Sequence, residues 1–245
     1  MSRFEIYSPE GLRVDGRRWN ELRRFECRIN THPDSSDGSS YVEQGNSKVI
    51  CIVNGPMEPS SKAEMSTSKA TLKISLNVTP FSSIDRKKRS KNERRIQEIV
   101  TSLKRTFEQS IIVNKYPRTT ISITLHVLAL DGGLLSSITN AITLALIDAG
   151  IAMYDYISSV SAGFYNNTPL LDLNQLEESD VSFLTIGVVG KSEKLALLLL
   201  ENKIPLDQLE SVLAIAIAGG HRIRDLMDKE VRRHGDLRLS KLANK

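Results

Sequence analysis

The stretch TTISITLHVLALDGGLLSSITNAITLALIDAG, residues 119–150, places a strand-like run, a glycine turn and a helix-like run in direct succession. Residues 119–130 alternate apolar and polar side chains, which is typical of a β-strand. Residues 136–150 are predicted to form a helix that ends at Gly150, because glycine commonly follows the last helical residue. A strand that leads through a tight turn into a helix is therefore the central unit of the predicted fold.

The turn has the glycines of a phosphate cradle but no cation. Gly132 and Gly133 precede a helix, and the unpaired N–H groups and positive dipole at a helix N-terminus can hold a phosphate. Strong anion binding in water normally also needs a cation, preferably arginine. Leu134 and Leu135 fill the expected positions, and residues 131–140 contain no Lys or Arg. A tight strand-to-helix turn packed with leucines is the alternative.

Upstream of this unit the chain is strand-like. Residues 21–29 and 70–80 alternate apolar and polar positions, and residues 39–55 are predicted to form a hairpin about the sequence QGNS. A helix is then expected from Asn92, a residue suited to the N-cap. Its apolar stripe at three- and four-residue steps comprises Ile96, Ile99, Val100, Leu103 and Phe107.

Downstream the same order of elements returns in a looser form. Three strands are predicted, with the sequences ISSVSAGFY, VSFLTIGVVG and KLALLLL, followed by a long helix from about Leu206 to Arg233. This order of strands and helices predicts an α+β fold built of two similar β/α halves. Because nothing in the sequence resembles a linker, we expect one domain over residues 1–245, with its core at roughly residues 10–235.

Composition and charge limit the classes of function. The net charge is +4 with an isoelectric point near 9.0, and basic residues concentrate in RKKRSKNERR, residues 86–95. A polyanionic partner and a solvated charged loop both fit this segment, and residues 86–91 could equally serve as a localisation signal. The N-terminus lacks the apolar run of a secretory signal, and no apolar stretch approaches the length of a membrane span, so neither secretion nor membrane insertion is expected.

Two groups of cations are candidates for binding an anion. Arg94 and Arg95 fall in the first turn of the predicted helix, where cations oppose the helix dipole and an outside anion would remove that conflict. The alternative is pairing with Glu98, although adjacent arginines point about 100° apart, so that one carboxylate is not expected to satisfy both. Lys62 and Lys69 lie in the polar loop of residues 59–69, which also fits a merely solvated loop.

Acidic residues offer a weaker signal for acid or metal chemistry. Glu177, Glu178 and Asp180 cluster just before a predicted strand, where a solvated turn is the alternative. The four histidines and two cysteines show no nucleophile or metal-ligand spacing. We therefore predict no metal site and no cofactor.

Six motifs in register carry a resemblance that spans roughly residues 5–235. They are EGLRVDGRRWNELR, DGSSYVEQGNSKVI, NERRIQEI, YPRT, LALDGGLLSSITNAITLALIDAGI and LLDLNQLEE. In this order they closely resemble the RNase PH family, and within it the eukaryotic exosome ring subunits that correspond to the catalytic archaeal subunit. The resemblance implies a ribosomal-protein-S5-domain-2-like fold, and subunits that alternate in a six-membered ring around a channel for single-stranded RNA.

The resemblance also implies roles for particular residues. Active relatives hold inorganic phosphate with a Ser-Arg pair after the glycine turn, where this sequence has Leu134 and Leu135. They carry two aspartates before a strand, of which only Asp180 is matched, so Asp180 is interpreted as a vestige of the general acid. Arg94 and Arg95 match an arginine pair that holds RNA. Lys62 and Lys69 are predicted to bind RNA on a loop at a channel constriction.

These departures imply a catalytically inactive subunit that guides RNA. Its expected partners are other RNase PH-like ring subunits, S1/KH-type cap subunits, single-stranded RNA and a hydrolytic 3′-to-5′ exoribonuclease that degrades it. The implied locations are the nucleus, nucleolus and cytoplasm. An active phosphate-dependent exoribonuclease that uses Asp180 and a neighbour's arginine is the alternative. A small-molecule kinase fits less well, because the turn offers neither a long glycine-rich loop nor a cation.

Overall fold

The computed structural model describes residues 6–8, 10–59, 68–83, 86, 90, 93–166 and 168–243. The first of its two sheets is formed by segments in which apolar residues alternate with polar ones. Its five strands lie in the order β1-β2-β3-β5-β4, where β4 and β5 are parallel and the other pairs antiparallel. The strands are β1 (Phe25–Ile29), β2 (Gly38–Gln44), β3 (Ser47–Met57), β4 (Thr71–Val78) and β5 (Thr120–Ala129). The predicted hairpin is confirmed, since Gln44 pairs with Ser47 across the turn.

The first long helix connects the two parallel strands. Helix α1 (Arg94–Ser110) buries Ile96, Leu103 and Phe107, as its predicted apolar stripe requires. Asn92, the predicted N-cap, lies outside the described residues, and the N-cap position before Arg94 is held by Glu93, whose side chain makes no capping hydrogen bond. The first turn of α1 therefore combines exposed cations with an N-cap residue whose side chain does not cap the helix.

The second long helix is the centre of the molecule. Helix α2 (Leu134–Asp148) contacts β2 and β3 of the first sheet and β6 (Ile157–Tyr165) and β8 (Ser182–Val189) of the second. Polar residues on it are buried because they bond to neighbouring strands: Asn140 Nδ2 donates to Ser159 O at 3.0 Å, and Asn140 Oδ1 accepts from Ser159 N at 2.8 Å. The helix begins two residues earlier than predicted, directly after Gly133.

The second sheet comes from the C-terminal half. Its strands are antiparallel in the order β7-β6-β8-β9, with β7 at Thr168–Leu171 and β9 at Leu195–Leu200. Helix α4 (Leu206–Ala243) covers one face, where Gly220 allows an approach so close that a Cβ would lie 3.0 Å from Val188 Cγ2. The predicted end of this helix near Arg233 is wrong, because the helix continues to Ala243.

The two sheets share one apolar core around α2. A single cluster includes Leu125 of the first sheet, Ile142 of α2, Val160 of the second sheet and Val212 of α4. The α+β prediction with two similar β/α halves is thus confirmed, whereas the extent of one domain over residues 1–245 stays a prediction. Among the described residues, no helix has both the length and the apolar character that a membrane span needs.

Candidate functional site

The glycine turn packs directly on a short helix that the sequence did not predict. Gly132 and Gly133 both adopt left-handed backbone angles, with φ of +75° and +62°. A Cβ on Gly132 would lie 2.6 Å from Asn174 C and 2.8 Å from Gln175 N, so only glycine allows this approach. The neighbouring helix is α3 (Gln175–Asp180), so the alternative of a solvated turn at these acidic residues is wrong.

Helix α3 forms because its start carries a capping box. Asn174 Oδ1 accepts from Glu177 N at 3.0 Å, and Glu177 Oε2 accepts from Asn174 N at 2.9 Å. These reciprocal bonds satisfy donors that a helix of six residues would otherwise leave open. The cap fixes the direction in which the next carboxylate, that of Glu178, points.

Glu178 occupies the anion position of the turn. Its Oε1 accepts from Gly133 N at 2.6 Å, at the N-terminal end of α2. Burial raises the pKa of Glu178 to about 7, a shift that outweighs the opposing effects of the Gly133 hydrogen bond and of Arg23. The chain thus supplies its own carboxylate where an external anion would meet the helix dipole.

Replacing Glu178 with glutamine tests this assignment through pH. A carboxyl whose pKa rises on folding from 4.5 to about 7 binds its proton more tightly in the folded state, so stability falls as the pH increases across that interval. Glu178→Gln keeps an oxygen for Gly133 N–H but removes the charge. We expect it to raise the free energy of unfolding by about 1–3 kcal/mol at pH 8 and to leave it unchanged near pH 4. Urea unfolding at both pH values measures this, and equal stabilities at pH 8 would contradict it.

The two leucines after the turn have different environments. Leu134 is half-buried and lines a pocket, whereas Leu135 is buried in the core at 7% exposure. Only Leu134 therefore faces the space in which a ligand of the turn would lie. From the sequence, both leucines have the same predicted role, as the residues that replace the phosphate-binding pair. Their environments differ because adjacent residues of a helix point about 100° apart.

A buried ion pair anchors the N-terminal segment beside α3. Arg13 Nε donates to Glu177 Oε1 at 2.7 Å, Nη2 pairs with Glu177 Oε2, and Nη1 donates to Leu171 O at 2.5 Å. The side chains of Arg13 and Glu177 are 0% and 1% exposed. Sequence reasoning missed this pair, because its members are far apart in the chain and no local pattern marks a charged residue as buried.

A second buried arginine supports the glycine turn itself. Arg23 donates from Nε and Nη2 to Asp172 Oδ1 at 3.1 and 2.8 Å, and from Nη1 to Asp131 O at 2.5 Å. A Cβ on Gly133 would lie 2.7 Å from Arg23 Nη2, so the guanidinium rests against the turn. Gln44 Nε2 adds a bond to Asp172 at 2.9 Å. Arg23 thus positions the turn, and each of its three guanidinium nitrogens donates to a protein acceptor.

The turn forms one wall of a pocket of about 290 Å³. Its charged lining residues are Glu93, Arg95, Glu178 and Glu201, and its apolar lining includes Val78, Ile96, Leu130, Leu134 and Phe183. Among the lining residues that the structure describes, three carboxylates stand against one guanidinium, which gives this part of the lining a negative balance. An inorganic phosphate entering it would meet like charges.

The adjacent arginines of α1 diverge, as their helical spacing predicts. Arg94 Nε pairs with Glu98 Oε1 at 2.9 Å and lines a groove between α1 and β9. Arg95 Nη2 pairs with Glu201 Oε2 at 3.3 Å and lines the pocket. The expectation that one carboxylate does not pair with both arginines is confirmed. Of the two, only Arg95 lines the pocket that the glycine turn borders. Their roles in RNA binding stay predictions.

The other predicted site residues lie away from the pocket. Asp180 ends α3 and is exposed, but it is absent from the pocket lining. Lys69 is exposed before the first residue of β4, whereas Val78 at the far end of that strand lines the pocket, a separation of about 25–30 Å. Lys62 lies outside the described residues. Within those residues, no group of His, Cys, Asp or Glu could hold a metal ion.

Two sheets on a shared central helix, with a pocket at the N-terminus of that helix, define the class of RNase PH-like α+β proteins. Residues 21–152 match the first domain and residues 155–219 the second domain of a 3′ exoribonuclease family. The chain belongs to this RNase PH family, as the sequence motifs predicted.

Individual relatives match over nearly the whole chain. It is 65% identical over 241 residues to exosome complex component SKI6 of Saccharomyces cerevisiae, with 98% of each chain covered. It is 37% identical over 236 residues to exosome complex component RRP41 of Homo sapiens, with 96% of each covered. The crystal structure of rice (Oryza sativa) Rrp46 superposes with a TM-score of 0.80 at 27% identity, covering 90% of this chain and 100% of that one.

A more distant structure supports the fold alone. The Archaeoglobus fulgidus exosome with RNA bound to the active site aligns with a TM-score of 0.74 at 20% identity. The alignment covers 88% of this chain and 92% of the archaeal chain.

Proposed function

We propose that this protein is a non-catalytic subunit of the RNA exosome ring that guides single-stranded RNA. Identity of 65% over nearly the full length to an exosome component supports membership of that complex. The neighbours would be other RNase PH-like subunits and S1/KH-type cap subunits. A hydrolytic 3′-to-5′ exoribonuclease bound to the ring would degrade the RNA in the nucleus, nucleolus and cytoplasm.

The hydrogen bond between Glu178 and Gly133 carries the non-catalytic assignment. Phosphorolysis needs a bound phosphate held in line with the scissile bond, a positioning that supplies much of the rate. Here the N–H of Gly133 in the turn donates to Glu178. The two leucines that follow, Leu134 and Leu135, bring no charge. The guanidinium of Arg23 donates to Asp172 and Asp131. A phosphate at the turn would therefore have to displace a carboxylate, and the turn itself brings no cation in return.

The exposed cations near the pocket support the RNA-guiding role. Arg95 at the pocket and Arg94 at the adjoining groove are 67% and 93% exposed, so both can reach the phosphates of a passing strand. Contacts to phosphate do not depend on base identity, which suits a conduit for many RNAs. Assembly is supported by the edge strand β9, where Leu198 and Leu200 are 53% and 45% exposed.

A phosphate-dependent 3′-to-5′ exoribonuclease is the second candidate. The raised pKa of Glu178 favours it, because a carboxyl with a pKa of about 7 inside a pocket can act as a general acid at neutral pH. In this candidate Glu178 or Asp180 would protonate the leaving group, and a neighbouring subunit would supply the phosphate-binding arginine.

Product analysis distinguishes the two candidates. The reconstituted ring, without hydrolytic nuclease, is incubated with end-labelled single-stranded RNA and inorganic phosphate, and products are separated by chromatography. We expect intact RNA and no nucleoside diphosphates. A ring that contains Glu178→Gln is the matched control, because it separates true turnover from a contaminating nuclease. Nucleoside diphosphates that disappear in this control would establish the exoribonuclease instead.

A further inference from the structure

An exposed aromatic side chain lies on a turn next to the pocket and has no place in the function proposed so far. Phe81 is 63% exposed, in the turn that follows β4. Water-exposed phenylalanine is unfavourable, since full burial of such a side chain would contribute about 1.5–3 kcal/mol. Its exposure raises the question of what covers it in the working complex.

The turn that carries Phe81 is held firmly to the sheet. Thr79 Oγ1 donates to Val127 O at 2.7 Å, and Ser82 N and Oγ donate to Thr79 O at 3.0 and 2.7 Å. Ser82 is itself buried. The backbone on both sides of Phe81 is therefore fixed, and the ring is presented outward by a hydrogen-bonded turn.

The same hydrogen bonds place the turn beside the pocket. Leu130 N donates to Ser82 O at 2.9 Å, and Leu130 lines the pocket. Val78, three residues before Phe81, also lines it. The turn that carries Phe81 thus adjoins the pocket wall formed by the ends of β4 and β5, and Arg95 lies on another part of the lining.

We propose that Phe81 is a stacking platform for a base of single-stranded RNA at the mouth of this pocket. An aromatic face near a cation is the combination that binds single strands, because the ring stacks on a base while the cation contacts the backbone. Stacking is tolerant of sequence, so one such platform fits a conduit for diverse RNAs. The inference rests on the proposed RNA-guiding function and adds a base contact to its phosphate contacts.

The surroundings of Phe81 favour RNA over a protein neighbour. Pro80 beside it is exposed, but the other described residues of this turn are Thr79, Ser82 and Ser83, which add no large apolar side chain. Among the described residues of this turn, Phe81 is therefore an isolated aromatic side chain. Protein interfaces instead bury contiguous apolar patches. The leucine-rich edge of β9 has that character, and the turn around Phe81 does not.

Substitution of Phe81 in the reconstituted ring tests the proposal. Binding of a fluorescently labelled uridine-rich single-stranded RNA is measured by anisotropy, and assembly is checked by native mass spectrometry. Since stacking on one base contributes about 1–3 kcal/mol, we expect Phe81→Ala to weaken binding about 5- to 150-fold. Phe81→Trp should bind at least as tightly as the parent, because the larger indole ring also stacks.

A matched control uses an aromatic residue of similar exposure. Tyr154 is 70% exposed, and its N–H donates to Ser110 O at the C-terminal end of α1. The pocket lies at the other end of this 17-residue helix, about 25 Å away. Tyr154→Ala should therefore leave RNA affinity unchanged.

The outcomes separate this inference from the function on which it rests. If Arg95→Glu weakens binding while Phe81→Ala binds like Tyr154→Ala, the stacking proposal is overturned and the RNA-guiding function stands. If neither Arg95→Glu nor Phe81→Ala changes binding, both are overturned. A ring that fails to assemble with Phe81→Ala would make Phe81 a contact to a neighbouring subunit, which also overturns the proposal.

Discussion

Replacing Glu177 with alanine is expected to lower the free energy of unfolding by about 3–5 kcal/mol. Glu177 and Arg13 are almost fully buried, so the substitution leaves a guanidinium in the interior without its carboxylate. Arg13 keeps two carbonyl acceptors, Leu171 O and Asp172 O, but these carry no compensating charge. The same substitution removes one of the two side-chain acceptors of the α3 capping box and leaves that of Asn174.

Leu176 on the same helix provides the matched control. It is 60% exposed, so Leu176→Ala should change the free energy of unfolding by less than about 0.5 kcal/mol. Equilibrium urea unfolding of the purified chain measures both variants. A loss for Glu177→Ala no larger than that for Leu176→Ala would show that the buried pair contributes little.

Charge reversal at Arg95 should weaken RNA binding by the ring about tenfold or more at low salt. Arg95 is the one cation among the four charged lining residues that the structure describes, so Arg95→Glu would turn that described set into four carboxylates. The loss of one phosphate contact should also reduce the slope of log affinity against log salt by about 1. Anisotropy titrations with labelled single-stranded RNA at several salt concentrations measure both quantities.

The neighbouring arginine controls for net charge. Arg94→Glu changes the total charge by the same amount, but Arg94 lies on the groove between α1 and β9 and pairs with Glu98. We therefore expect a smaller loss of affinity than for Arg95→Glu. Equal losses would mean that the protein's overall field, rather than the pocket, governs RNA binding.

Periodicity predicted the long elements well and the short ones poorly. Alternation located β3, β4 and β5, and the 3.6-residue pattern located α1, because each segment is long enough to repeat its pattern several times. Strand β7 has four residues and α3 has six, too few for a period to emerge. A local signal for α3 was present, since Asn174 and Glu177 have the spacing of a capping box.

The site was predictable only where local chemistry dominates. The left-handed glycines and the divergence of Arg94 and Arg95 follow from residue type and helical rotation. The buried partners of Arg13 and Arg23 lie 164 and 149 residues away along the chain, so no window of sequence contains both members of either pair. Such pairing depends on tertiary packing, which one sequence does not display.

The bond between Glu178 and Gly133 also determines how the turn responds to its surroundings. Glu178 is an intramolecular ligand on a capped helix whose backbone packs against Gly132, so it meets the N–H without losing translational freedom. Dissolved phosphate must compete with a group whose effective concentration is set by the chain and not by supply. Because the pKa of that group is about 7, occupancy of the turn is expected to follow the pH of the compartment rather than its phosphate content.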